Sequence, residues 1–258
     1  MSPSRAPLSS SQKERPRLTP EECVKGIAGA VGKIGGEWMF DGIVHERGTE
    51  LGMDTWAWYH CGRGGVLGKA DPDAVVAAFG FFPPELQRKA WLKGCAVMDP
   101  RDAHREYAAA CALWGTRRFT DAATAGRLAD LLTTALDSAG VMGLPLFAGW
   151  RNTLHGYDGA SAPERLALAL QTAREHRGGS HLVAVAGYGV PPLQAVMSGR
   201  YGAVNAQFFG WPEPWPDPEV GKERMAAAER ITNHMVAPAF EVLSADERAE
   251  LTAGLRAL

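Results

Sequence analysis

Helix-start signals recur along this chain, and no segment alternates apolar with polar residues for long enough to make a half-buried strand. Thr19-Pro20-Glu21-Glu22 joins a side-chain N-cap, a proline in the first turn and the acid of a capping box. Val24, Ile27, Ala28, Val31 and Ile34 follow at helical spacing. Asp99-Pro100 opens a helix that runs to about Gly115. Thr120 or Asp121 opens another, with Leu128, Leu131, Leu132, Ala135 and Leu136 on its stripe. Ser161 with Pro163 and Glu164 starts a further helix, and Ser244 with Glu247 forms a last capping box. The expected fold is therefore all-α. Gly26, Gly29 and Gly32 recur every third residue in the first helix. With no strand before them, they read as places of close helix packing rather than as a phosphate cradle.

One region breaks the pattern. Between Tyr201 and Pro218 the chain reads YGAVNAQFFGWPEPWPDP, and prolines at that density forbid a helix. The segment reads as a loop in which Trp211 and Trp215 are anchors for a second copy or a different chain. It divides the sequence into a Ser-, Pro- and charge-rich stretch, 1–17, expected to be a disordered leader, a helical body, 18–199, and a tail, 200–258. In the tail, Met225, Ala228, Ile231, Met235, Phe240 and Leu243 are too many apolar groups for a short solvated segment. Residues 219–256 are expected to make the interface of a homo- or hetero-oligomer.

The balance of the 258 residues argues against several functions. A formal net charge of −2 gives no electrostatic pull toward nucleic acid or an anionic membrane. No apolar run reaches the ~18 residues of a membrane span. Cys23, Cys61, Cys95 and Cys111 show no zinc-like pairing, so reduced thiols and a cytoplasmic location are expected. No glycine loop for a nucleotide is present, and no cofactor is expected.

Charge gathers in TAREHRGGSH, Thr172 to His181. On the helix that follows Ser161, Leu166, Ala169, Leu170 and Ala173 share a stripe, and His176 and Arg177 fall on it one turn later. Gly178 reads as a helix C-cap and Ser180 as the cap of a second helix. The expected geometry is a glycine turn whose free N–H groups, with Arg177 and His181, make an anion pocket. Basic groups complementing a helix dipole, with a histidine satisfied in the core, explain the same residues without a site. His176 and His181 lack the i, i+4 spacing of a zinc helix, so no metal is expected. A second group is TWAWYHCGRGGVLGKADPD, where Trp56, Tyr59, His60 and Arg63 share one helical face. That face reads either as an aromatic wall with a cation at its rim, suited to a small polar or anionic ligand, or as a core aromatic cluster. Arg151, after the apolar LPLFAGW, is a third candidate.

Trp56-x-x-Tyr59-x-x-Gly62-Arg63, the following VVAAFGFFPPEL, Gly143-Leu144-Pro145-Leu146 and Arg174-Glu175-His176-Arg177-Gly178-Gly179-Ser180-His181 are similar, in order, to motifs of a mainly actinobacterial helical family. The likeness spans roughly residues 20–200 and includes a segment like REHRGDGH, from which Gly179 and Ser180 depart. Members are often labelled helix-turn-helix proteins and linked to secondary metabolism. The resemblance implies an all-α, multi-helix body with a C-terminal helical tail like the winged helix of multiple-antibiotic-resistance regulators. That tail is degenerate here, because the proline- and tryptophan-rich loop stands where the recognition helix and wing belong. Residues 199–230 carry Arg200, Lys222, Arg224 and Arg230 against five carboxylates, so DNA is not expected as a partner.

The chain also resembles the aziridine-forming component of azinomycin-type biosynthesis. That resemblance implies a cofactor-independent enzyme in which a substrate amine displaces a neighbouring sulfate ester. The substrate is a small molecule, free or carried on another protein. Such chemistry needs a general base and fixed donors for the departing sulfate. Glu175, His176 and His181 are the catalytic candidates. Trp56, Tyr59, His60, Arg63, Arg151, Arg174 and Arg177 are the candidates for holding substrate or anion. The alternatives are a ligand-sensing helix-turn-helix regulator and a non-catalytic subunit of a complex.

Overall fold

The computed structural model describes residues 17–258, and the expected leader, save Arg17, lies outside them. All regular structure among the described residues is helical. In chain order the helices are α1 (Pro20–Glu37), α2 (Gly42–Glu50), α3 (Thr55–Gly64), α4 (Pro72–Phe79), α5 (Pro84–Val97), α6 (Pro100–Arg118) and α7 (Ala122–Ser138). They continue as α8 (Pro145–His155), α9 (Ala162–Gly187), α10 (Pro192–Ser198), α11 (Gly202–Phe208), α12 (Glu219–Val236) and α13 (Ala245–Ala257). The tail thus has helices but no β-wing.

The start signals in the sequence are the starts in the structure. Thr19 and Glu22, Ser161 and Glu164, and Ser244 and Glu247 close reciprocal capping boxes at α1, α9 and α13. Asp41, Asp54, Asp71, Asp99 and Asp121 each accept a hydrogen bond from the first turn of the helix they precede.

Helix α9 is the axis of the molecule. It packs against α1, α6, α7, α8 and α12, and Leu166, Leu168 and Leu170 are fully buried around it. It runs unbroken through Gly178 and Gly179, so the expected glycine turn does not form, and no second helix begins at Ser180. Each glycine costs a helix about 1 kcal/mol against alanine. Packing on several sides outweighs that, and a Cβ at Gly179 would stand 2.9 Å from Leu144. Ser180 donates to the His176 carbonyl inside the helix.

The proline-rich segment and the α1 glycines also depart from expectation. Residues 202–208 form α11, because the four prolines all lie after it, at 212, 214, 216 and 218. Trp211 and Trp215 pack inward beside Val196 and Met197, and Trp211 Nε1 donates to the Phe81 carbonyl. In the tail, Ala228, Phe240 and Leu243 are buried within the chain itself, while Ile231 is exposed. Of the α1 glycines, Gly29 and Gly32 touch nothing within 4 Å of a Cβ position. The close approaches are at Gly26, against Thr252 of α13, and at Gly35, against the Leu170 backbone of α9.

Candidate functional site

A cavity of about 1040 Å³ opens between α1, α3, α4, α9, α11 and α12. That is at the upper end of small-molecule sites, commonly ~300–1,000 Å³. Glycines make the room: Gly32 and Gly36 on α1, and Gly178 and Gly179 on α9, all line it. Its wall is mainly aromatic. Trp56 and Tyr59 come from α3, Phe79, Phe81 and Phe82 from the end of α4 and the turn after it, and Phe208 and Phe209 from α11 and its C-cap. Trp56 lies 5.4 Å from Phe208 and 5.7 Å from Phe82, ring centre to ring centre, which is the range of favourable edge and tilted packing.

Behind that wall sits an ion pair. Arg63 Nε and Nη2 donate to the two oxygens of Glu175 at 2.7 and 2.8 Å, and Arg63 Nη1 donates to the Tyr59 hydroxyl at 2.8 Å. Gln171 Nε2 adds a third donor to Glu175 at 2.6 Å. The guanidinium also lies 4.5 Å above the Phe79 ring. Arg63 and Glu175 are 9 % and 2 % exposed, so each is the other's remedy for burial. Burial pushes the Glu175 carboxyl up, and the charge and hydrogen bonds of Arg63 more than reverse this, leaving it below the ordinary range. A carboxylate so held is a weak proton acceptor. Its geometry suits it to fixing Arg63.

The remaining candidates separate. Arg174, Arg177 and His181 line the cavity along one face of α9. Arg177 Nη2 donates to Glu229, while its Nη1 is buried without a partner. His181 Nδ1 is 2.9 Å from the Thr232 hydroxyl, and Glu229 lies 3.7 Å away. Burial lowers the His181 pKa against the pull of Glu229. Arg174 has one long contact, 3.7 Å to a Glu175 oxygen that Arg63 and Gln171 already occupy.

Three candidates lie outside the cavity lining. His176 is buried with its ring 4.5 Å from Phe147, and burial lowers its pKa to about 4. His60 stacks on Phe79 at 5.1 Å, and burial takes it to about 4 as well. Arg151 Nη1 donates to the Ala139 carbonyl at 2.8 Å, capping the end of α7. No group of three or more His, Cys, Asp or Glu with a metal-holding arrangement occurs among the described residues. No helix there is long and apolar enough to cross a membrane.

Residues 27–258 match the model of a helix-turn-helix family. The chain belongs to that family. No curated protein and no solved structure matches it. Within this helix-turn-helix chain, the phenylalanines after α4 and in α11 were not among the candidates from sequence. FGFF was visible as an aromatic run, but only the tertiary fold sets it opposite Trp56. The same holds for Glu229, which comes from α12 to meet Arg177.

Proposed function

We propose that this chain is a ligand-sensing regulator of helix-turn-helix type whose signal is a small molecule bound in the cavity. The observation that carries the reading is the cavity itself: an aromatic-walled space of about 1040 Å³ whose one buried carboxylate, Glu175, is spent on Arg63. A site built this way holds a ligand, and its buried carboxylate is not free to act as a base. The wall joins α11 and α12 of the tail to α1, α3 and α9 of the body, so a bound ligand touches both parts and can bias how they pack.

A second reading, a secondary-metabolite enzyme that closes an aziridine by displacing sulfate, is favoured by one observation. The segment 199–230 carries fewer basic than acidic residues, which is poor for phosphate contact. Gel-shift with DNA from upstream of the chain's own gene, at two salt concentrations, separates the two when paired with native mass spectrometry of the purified chain. The regulator reading expects a salt-sensitive band and a small molecule released by organic solvent. No band at either salt, with conversion of an amino sulfate ester to an aziridine, would overturn it in favour of the enzyme.

A further inference from the structure

Resting on the reading that the cavity holds a small molecule, we infer that this molecule is an amphipathic organic anion, with its charged group on Arg174 and its body among the aromatic rings. Lys33, Arg63, Arg174 and Arg177 line the cavity against three carboxylates, Glu37, Glu175 and Glu229. Each carboxylate already has a close cation. Glu175 holds Arg63 with both oxygens, Glu229 holds Arg177, and Glu37 accepts from Arg118, which stands outside the cavity, at 2.7 Å.

Two cations are left over. Lys33 has no ion-pair partner among the described residues, and Arg174 has only its 3.7 Å contact with the saturated Glu175. Arg174 is also placed with care. A Cβ on Gly36 would stand 3.2 Å from Arg174 Nε, so the glycine of α1 is what lets the guanidinium lie there. Its side chain is 29 % exposed, so an anion that reaches it is partly shielded from water and gains more than at an open surface. The aromatic wall beside it asks for an apolar body in the same ligand. A fully hydrophilic anion leaves those rings uncovered, and a neutral apolar molecule leaves Arg174 unanswered.

Two fluorescent probes with the same body separate these cases. 8-Anilinonaphthalene-1-sulfonate carries the anion, and N-phenyl-1-naphthylamine lacks it. Titrated into the full chain, the sulfonate should bind at least as tightly as the neutral amine despite its hydrated charge. Arg174→Gln should weaken the sulfonate about tenfold and the amine less than twofold, and Arg174→Lys should keep most of the preference. Should Arg174→Gln fail to fold, Lys33→Gln, at an exposed position, should weaken the sulfonate alone by a smaller factor. Gly178→Leu locates the site. Gly178 lines the cavity and a Cβ there meets nothing within 4 Å, so the added side chain should weaken both probes. Equal losses of both probes in Arg174→Gln, or no loss of the sulfonate in either charge variant, overturn the anion inference and leave the cavity reading standing. If neither probe binds, or Gly178→Leu leaves both unchanged, the cavity reading itself fails.

Discussion

Arg63 and Glu175 show how a single pair ties the fold to the site. Removing one partner leaves the other charge buried, which typically costs ~3–5 kcal/mol. Glu175→Gln should therefore lower the urea midpoint strongly, and Arg63→Met combined with Glu175→Leu should recover much of the loss. A Glu175→Gln variant as stable as wild type would mean that water already screens the pair. Histidines set the pH response. His60, His104 and His176 are buried, and burial holds all three near a pKa of about 4 against an ordinary 6.5. Each is neutral in the folded chain and takes up a proton more readily once unfolded. Their contribution is therefore complete above pH 6.5 and is lost as pH falls toward about 4. Urea midpoints measured across that window should fall as the pH is lowered, and His176→Phe, beside Phe147, should flatten the slope. At this scale the sequence was only partly legible. It marked Arg63, Glu175 and His176 as unusual, but whether a histidine meets a phenylalanine or a substrate is decided by what other helices bring to it.

Helix starts were legible because their signals are local: a cap and its acid lie three residues apart and need no tertiary partner. Helix α9 shows the limit. Gly178-Gly179 carries the local mark of a C-cap, yet α6, α7, α8 and α12 bury the helix on several sides, and that packing outweighs two glycine penalties. Gly178 of α9 and Gly35 of α1 should then respond differently to substitution. Gly178→Ala, at a position open on its Cβ side, should raise stability by about 0.5–1 kcal/mol. Gly35→Ala sets a Cβ 2.8 Å from the Leu170 carbonyl oxygen of α9, so α1 must shift, and stability should fall by about 1–3 kcal/mol. Thermal melts of the two variants moving in the same direction would contradict the continuous helix and its packing on α1.

On the scale of the whole molecule, α9 presents leucines to the core and Arg174, Arg177 and His181 to a cavity that the aromatic groups of α3, α4 and α11 enclose. Trp56, Tyr59 and Arg63 are 111 or more residues from Arg174 in the chain, and nothing in either segment alone states that they share a space. Binding there, with the anion on Arg174, is the claim on which the functional reading depends. Crystals soaked in 2,3,5-triiodobenzoate test it most directly, since iodine is located by its own anomalous scattering. The account predicts iodine peaks between Trp56, Phe82 and Phe208, with the carboxylate against Arg174. Iodine found only on the outer surface, with the cavity unaltered, would contradict it.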